Sequence, residues 1–295
     1  MMSKQIRGSL LLLLATVIWG SAFVAQSVGM ELIGPFTFQA VRCLLAVAFL
    51  LILSLVMDAG KGGIRDSLRK WLNPQLWKAG IICGGALFVA ASLQQVGLVY
   101  TDAGKAGFIT AMYIVLVPIL GIFRRQKPSG KIVVSVLLAV AGLYLLSCLN
   151  AEGINKGDLL VMGCALAFAV QITCIDMLGL QLDGIRLNCV QALVVALLSL
   201  PFVLFTETVD FGNLAACWLP LGFAGVLSMG VAYTLQIQGQ KDLPPATASL
   251  IMSLESVFAV LGGWLILKET MTAVELLGCC LVFCAVILSQ LPSRK

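Results

Sequence analysis

Along most of the chain, apolar runs of about twenty residues alternate with short polar interruptions, and the spacing inside each run is helical. Ten such runs can be drawn: 8–28, 35–57, 77–99, 105–123, 131–149, 158–178, 187–205, 217–238, 246–266 and 273–290. A helix crossing a bilayer core needs about 20 mostly apolar residues, so each run is long enough to span. The longest interruption, 58–76, carries Lys61, Arg65, Arg69 and Lys70. The pattern predicts an all-α integral membrane protein of ten transmembrane helices, with almost no chain left for a soluble domain.

The polar residues inside these runs fall on stripes. Met229, Tyr233, Gln236 and Gln240 follow i, i+4, i+7, i+11 spacing, which puts them on one helix face. Cys164, Phe168, Gln171 and Ile175 do the same, as do Ala15, Trp19, Ala22 and Gln26. Span three adds Gln94 or Gln95, and span four adds Thr110 and Tyr113. An amide facing lipid is disfavoured, so the stripes should face the bundle interior. Aromatic rings mixed with neutral amides suit an amphipathic organic solute. For any single glutamine, an interhelical hydrogen bond worth about 0.6 kcal/mol is the simpler account. For the set converging on one cavity, ligand lining is the expectation, with Trp19, Gln94, Tyr113, Phe168, Gln171, Tyr233 and Gln236 as the substrate-binding candidates.

Composition narrows the function. The chain of 295 residues is 60% hydrophobic and 11% charged, with a mean hydropathy of +1.03. Soluble domains carry about 25% charged residues, so a water-facing globule is excluded. Histidine is absent, which removes His general bases, Ser–His–Asp triads and His-ligated metals. The ten cysteines are scattered with no CxxC pair, and even Cys279, Cys280 and Cys284 lack further ligands, so they read as small residues of the membrane core. No catalytic group, metal or cofactor is expected, nor a nucleic-acid partner. No Walker-type loop is present, which argues against ATP coupling within the chain.

The net charge of +5 matters less than where the charges lie. With the N-terminus inside, 15 of the 19 Lys and Arg residues fall on the cytoplasmic side, and only Lys105, Lys156 and Lys268 fall outside, with Arg42 inside a span. Both termini are therefore expected in the cytoplasm of a cytoplasmic (inner) membrane protein. Lys4 and Arg7 before the first run resemble a signal peptide. The run is long, however, and Phe23 spoils a cleavage site ending at Ala25, so the segment is expected to be retained.

The chain also repeats itself. GSLLLLLATVIWGSAF from Gly8 aligns with GDLLVMGCALAFAVQI from Gly157, which puts Trp19 opposite Phe168 and Arg42 opposite Gln191. Later the match weakens, though Pro118 still falls opposite Ser256. Five spans per half is an odd number, so residues 151–295 should sit upside down relative to 1–150. Inverted repeats are a mark of carriers, because two such halves can present one central site to either side.

Two charges lie within spans. Glu255 falls roughly 13–15 Å from the start of span nine at 1.5 Å per residue. A carboxylate near the midplane costs at least ~2.5 kcal/mol and marks a pathway, a proton relay or an ion pair. Proton coupling or cation binding is one reading. A structural bond to nearby Ser249, Ser253 or Ser256 is the other. Arg42 could attract a substrate anion, pair with Glu31 or Asp102, or snorkel to the headgroups, and a structural role is favoured. Asp176 is expected to pair with Arg186. Gly80 and Gly84, and the doublets Gly84–Gly85 and Gly262–Gly263, read as close-packing positions, with hinge roles as an addition.

IWGSAFV (18–24), the Pro35–Arg42 stretch and YTDAGKAGFITAMYIVLVP (100–118) resemble the first repeat of the drug/metabolite transporter superfamily, EamA group. GDLLVMGCALAFAVQI, the AYTLQ run (232–236) and SLESVFAVLGGWLILKETMTAVELLG (253–278) resemble its second repeat. Many members show Pro where this chain has Ser256, and Gly where it has Lys268, which suggests a subgroup. The resemblance implies ten helices, a central cavity between the halves and movement of small metabolites, without naming the substrate. The expected function is thus a secondary transporter, exporting small organic or drug-like solutes, with Glu255 as the candidate coupling group. Its partners would be a small-molecule solute and the lipid bilayer, with monomer and homodimer both open. A passive channel, a lipid flippase and a membrane-embedded enzyme are the rivals.

Overall fold

The computed structural model describes residues 3–59, 63–101, 103–147, 154–266 and 272–291. Every regular element among them is helical. The chain begins with α1 (Lys4–Leu32) and α2 (Pro35–Ala59), followed by a short α3 (Gly63–Trp71) and then α4 (Pro74–Gly97). Next come α5 (Ala103–Ala111), α6 (Tyr113–Phe123), α7 (Gly130–Ser147), α8 (Lys156–Cys174) and α9 (Gly184–Thr206). The remainder is α10 (Phe211–Ala216), α11 (Trp218–Gly222), α12 (Tyr233–Gln240), α13 (Pro245–Met252), α14 (Leu254–Ile266) and α15 (Ala273–Gln290). Among the described residues, eight helical stretches are long and apolar enough to cross a membrane. The expected spans 131–149 and 246–266 are shorter apolar helices, Gly130–Leu146 and Pro245–Leu261, and both run toward residues outside the description. The interruption at 58–76 is not all loop, since it contains α3.

Two spans are interrupted at mid-length. The fourth breaks at Met112, whose amide donates to Ile109 O at 3.1 Å, a tightened turn between α5 and α6. Pro118 lies inside α6, where it leaves the Ile114 carbonyl without an N–H partner, past the break itself. The ninth breaks at Ser253, between α13 and α14, where the Ser256 amide donates to Ser253 O at 3.2 Å. Here the hydroxyls of Ser249 and Ser253 donate to Ala246 O and Leu250 O, a local competition that bends helices.

A third irregularity is a ten-residue π-helical stretch, Phe223–Ala232, between α11 and α12. Such wide turns are rare and loosen the usual carbonyl pairing. Asn188 of α9 compensates, donating from Nδ2 to Met229 O (2.8 Å), Gly230 O (3.0 Å) and Thr234 Oγ1 (3.0 Å). The stretch also lies against α2, since a Cβ on Gly225 would come within 2.8 Å of Arg42 O.

The helices pack in pairs: α2 with α9, α7 with α15, α4 with both α8 and α9, and α1 with α12 and α14. Glycines set the closest crossings. At Gly142 and Gly278, a Cβ on either residue would lie 2.7 Å from the other's carbonyl oxygen. Gly80 and Gly84 seat Val190, Val194 and Gln191 of α9, which is the packing role expected of them, whereas Gly85 faces open space. The Gly262–Gly263 side of α14 lies outside the described side chains. Large apolar side chains such as Ile52, Val56, Leu137, Leu166 and Ile287 point outward, as lipid-facing positions should.

Ion pairs gather at the end of the bundle that carries the N-terminus. Arg7 bonds Asp242 at 2.7 Å, Arg124 bonds Asp176 at 2.8 Å and Lys70 bonds Asp58 at 2.8 Å. Arg186 is buried and pairs with Asp58 and, at 2.9 Å, with Asp183, while its guanidinium stacks over the Trp71 ring. The expected Asp176–Arg186 pair is therefore not formed. Arg186 opens α9 beside its cap residue Asp183 and faces α2 and α3, which leaves Asp176 to Arg124. At the opposite end Lys105 pairs with Asp158 at 2.6 Å, within a capping box made by Asn155 and Asp158.

Candidate functional site

The two interrupted helices meet at a central cavity. From α6, the first residue after the break, Tyr113, donates its hydroxyl hydrogen to Glu255 Oε1 at 3.2 Å. Glu255 is the second residue after the break in the other span and is 7% exposed. The three serines expected to satisfy it do not reach it. Ser249 and Ser253 bond backbone carbonyls of their own helix, and Ser256 donates across to Gly107 O at 3.1 Å. Helical spacing explains this, because each serine is one, two or six residues from Glu255 and points to another face.

The cavity is narrow, with about 40 Å³ of space for the centre of a water-sized sphere. Its walls are Trp19, Phe23 and Gln26 of α1, Arg42 of α2, Gln94 of α4, Thr110 of α5, Tyr113 of α6, Phe168 and Ile172 of α8, Ser228 and Met229 of the π-helical stretch, Tyr233 and Gln236 of α12, Met252 of α13 and Glu255 of α14. Trp19 and Tyr233 meet edge to face with ring centroids 5.0 Å apart.

Six of the seven expected lining residues, namely Trp19, Gln94, Tyr113, Phe168, Tyr233 and Gln236, thus face one space. Gln171 stands one layer behind. It accepts from Gln236 Nε2 at 3.2 Å and donates to Gln191 Oε1 at 3.3 Å, so it braces the wall rather than forming it. Gln240 likewise donates to Ile172 O at 3.1 Å. Between the two candidates in span three, Gln94 is the lining residue and donates to Thr110 Oγ1 at 3.2 Å, while Gln95 is buried away from the cavity.

Arg42 also belongs to the cavity, at 5% exposed. It does not pair with Glu31, and Asp102 lies outside the described residues. Its Nη1 donates to Gln26 Oε1 at 2.7 Å and its Nη2 to Gln39 Oε1 at 3.2 Å, with the Phe38 ring 5.6 Å away. Amide oxygens thus hold it in place, and among the described residues no carboxylate does.

Phe23, Ile172, Ser228 and Met252 escaped the sequence reading. Phe23 had a usable signal, since Trp19, Phe23 and Gln26 follow i, i+4, i+7. Ser228 had none, because the π-helical stretch shifts the facing of its residues away from α-helical spacing. Cys280 and Cys284 are exposed on α15 rather than packed in the core, and Cys279 is buried.

A second and larger space lies at the N-terminal end of the bundle, between the far halves of the same interrupted spans. Val117, Pro118 and Lys127 line one side, and Pro244, Ala246 and Thr247 the other.

The sequence profile of the EamA-like transporter family matches residues 6–148 and again 155–291. The chain belongs to this family. It is a multi-pass membrane transporter of the drug/metabolite transporter superfamily. An Archaeoglobus fulgidus protein named as an uncharacterized transporter is 34% identical over 294 residues, covering 98% of this chain and 87% of that one. The threonine/homoserine exporter RhtA of Salmonella typhimurium is 30% identical over 182 residues, covering 60% of this chain and 59% of RhtA. A solved crystal structure matches this EamA-like fold with a TM-score of 0.77 at 17% identity, over 96% of each chain.

Proposed function

We propose that this EamA-like protein is a secondary transporter that exports small organic solutes across the cytoplasmic membrane by alternating access, with Glu255 as its coupling group. The observation that carries this reading is the junction of two interrupted helices at a cavity that holds a buried carboxyl. Discontinuous spans meeting at mid-membrane are the usual setting of a carrier's site. Glu255 accepts a hydrogen bond from Tyr113 and faces the cavity, which offers its carboxyl a route for proton exchange.

The halves 1–150 and 151–295 are proposed as inverted repeats. In support, the packing exchanges under their interchange: α1 against α14 corresponds to α8 against α5 and α6. The Gly8–Gly239 approach of α1 and α12 corresponds to the Gly97–Gly157 approach of α8 and α4. The cluster of Arg and Lys ion pairs at the N-terminal end supports cytoplasmic termini. In this reading the larger space beside Pro118 and Thr247 is the inner vestibule, and rocking of the halves joins it to the central cavity.

The test is proton movement in proteoliposomes on addition of amino acids, nucleobases and lipophilic cations. A solute-triggered proton signal in the wild-type protein is expected. Solute flux that is linear in concentration, with no counterflow, would replace the carrier reading with a channel.

A further inference from the structure

The short helix α3 sits between two spans, at the end of the bundle where the ion pairs gather, and its two faces differ. The inward face is fixed to the bundle. Ser67 accepts from Arg186 Nη2 at 3.3 Å, Lys70 bonds Asp58 at 2.8 Å, and the Trp71 ring lies against the Arg186 guanidinium. The outward face carries Leu68 and Leu72, one turn apart and 57% and 77% exposed, with exposed Arg69 beside them. Past the turn, Asn73 caps α4 by accepting from the Gln75 amide. Trp77, also exposed, donates its indole N–H to Trp71 O at 2.8 Å, which folds the ring back against the end of α3. Lys78 follows it and is exposed. Among the described residues, neither Arg69 nor Lys78 forms an ion pair. Residues 61–78 hold five cations, Lys61, Arg65, Arg69, Lys70 and Lys78, against the one acid Asp66.

We propose that Leu68, Leu72 and Trp77 seat this segment in the headgroup layer, and that Arg69 and Lys78 hold the phosphate of an anionic phospholipid there. Large apolar side chains exposed beside cations at the polar end of a bundle match a helix lying in the membrane interface. Indole rings favour that depth, and a cluster of Lys and Arg next to a span attracts anionic lipid. A choline or ethanolamine headgroup would bring its own cation to this excess of positive charge, whereas a headgroup of net negative charge is complementary to it. The leucines and the indole favour a lipid over a free phosphate, because only the lipid has acyl chains to cover them. A lipid held here would brace α3 from outside, and Arg186 passes that support to α2 and α9 through Asp58, Ser67 and its own place at the start of α9. The surface is separate from the central cavity, and the proposal does not depend on the transporter reading.

The experiment is native mass spectrometry of the purified full-length protein in micelles, titrated with phosphatidylglycerol or with phosphatidylcholine of the same acyl chains. The wild-type protein should bind the first phosphatidylglycerol at least about fivefold more tightly than phosphatidylcholine, and inorganic phosphate should not displace it. Arg69→Gln with Lys78→Gln should remove that preference, a loss of about fivefold for each cation. The control pair Arg125→Gln with Lys127→Gln removes the same charge from two other exposed positions and should leave the preference intact. Equal affinity of the wild-type protein for the two lipids overturns the proposal without reference to any variant. So does displacement by inorganic phosphate, which would make the ligand a free anion. An unchanged preference in the Arg69 and Lys78 double variant, or an equal loss in the control pair, would assign the binding to diffuse charge and overturn the site.

Discussion

The Tyr113 hydroxyl and the Glu255 carboxylate join the two broken spans across the centre of the bundle, 3.2 Å apart. One partner directly follows the break at Met112, and the other lies two residues past the break at Ser253. Any rocking that separates these spans must act on this bond. Tyr113→Phe should therefore reduce stability by about 1 kcal/mol and slow solute-driven proton movement. In a Glu255→Gln background the same change should have much less effect on transport. Stopped-flow fluorescence on the four proteins of the cycle checks this, and additive effects would mean that the two residues act separately.

Arg186 anchors the N-terminal end. Its side chain is 3% exposed and bonds Asp58, Asp183 and Ser67. Arg186→Ala leaves Asp58 with Lys70 as its charged partner among the described residues and should cost on the order of 3 kcal/mol. Melting in nanodiscs should drop clearly for this variant but little for Lys70→Ala, whose side chain is 48% exposed.

Glu207 ties the α9–α10 connection to the start of α2. Its carboxylate accepts from the amides of Phe36 and Thr37, both at 2.8 Å, and from the Thr37 hydroxyl at 2.6 Å. Residues at a helix start leave orphan N–H groups, and here a distant segment supplies the cap. Glu207→Ala should cost about 1–2 kcal/mol, and hydrogen exchange at Phe36 and Thr37 should quicken. Unchanged exchange would show that the cap is not used.

Close approach at Gly142 and Gly278 predicts that Gly142→Val lowers folded yield severely, because the new side chain would meet the Gly278 carbonyl and Val282. Overpacking of this kind costs about 1–3 kcal/mol or more. Gly85→Ala faces open space and should leave yield unchanged. Size-exclusion profiles of the two variants make the comparison.

The sequence exposed the membrane-spanning character and most cavity-facing positions, because hydropathy and the 3.6-residue period report directly on which face meets lipid. Trp19, Phe168, Tyr233 and Gln236 were legible as stripe members for that reason. Gln171 shares a stripe with Phe168 yet lies behind Gln236, since a stripe defines a face and not a depth. The interruptions at Met112 and Ser253 were not legible in advance. Pro118 lies six residues past the break at Met112 and does not mark it, and the serine hydroxyls act through local carbonyls that periodicity does not reveal. The expected partners of Arg42 and Asp176 were chosen for lying near the same membrane surface, whereas packing turns Arg42 to Gln26 and Gln39 and Asp176 to Arg124.

The most direct test of the account compares wild type with Glu255→Gln in proteoliposomes, measuring uphill accumulation under a proton gradient and exchange without one. The account predicts that the variant loses accumulation but keeps exchange at saturating solute. Undiminished uphill accumulation in Glu255→Gln would contradict it.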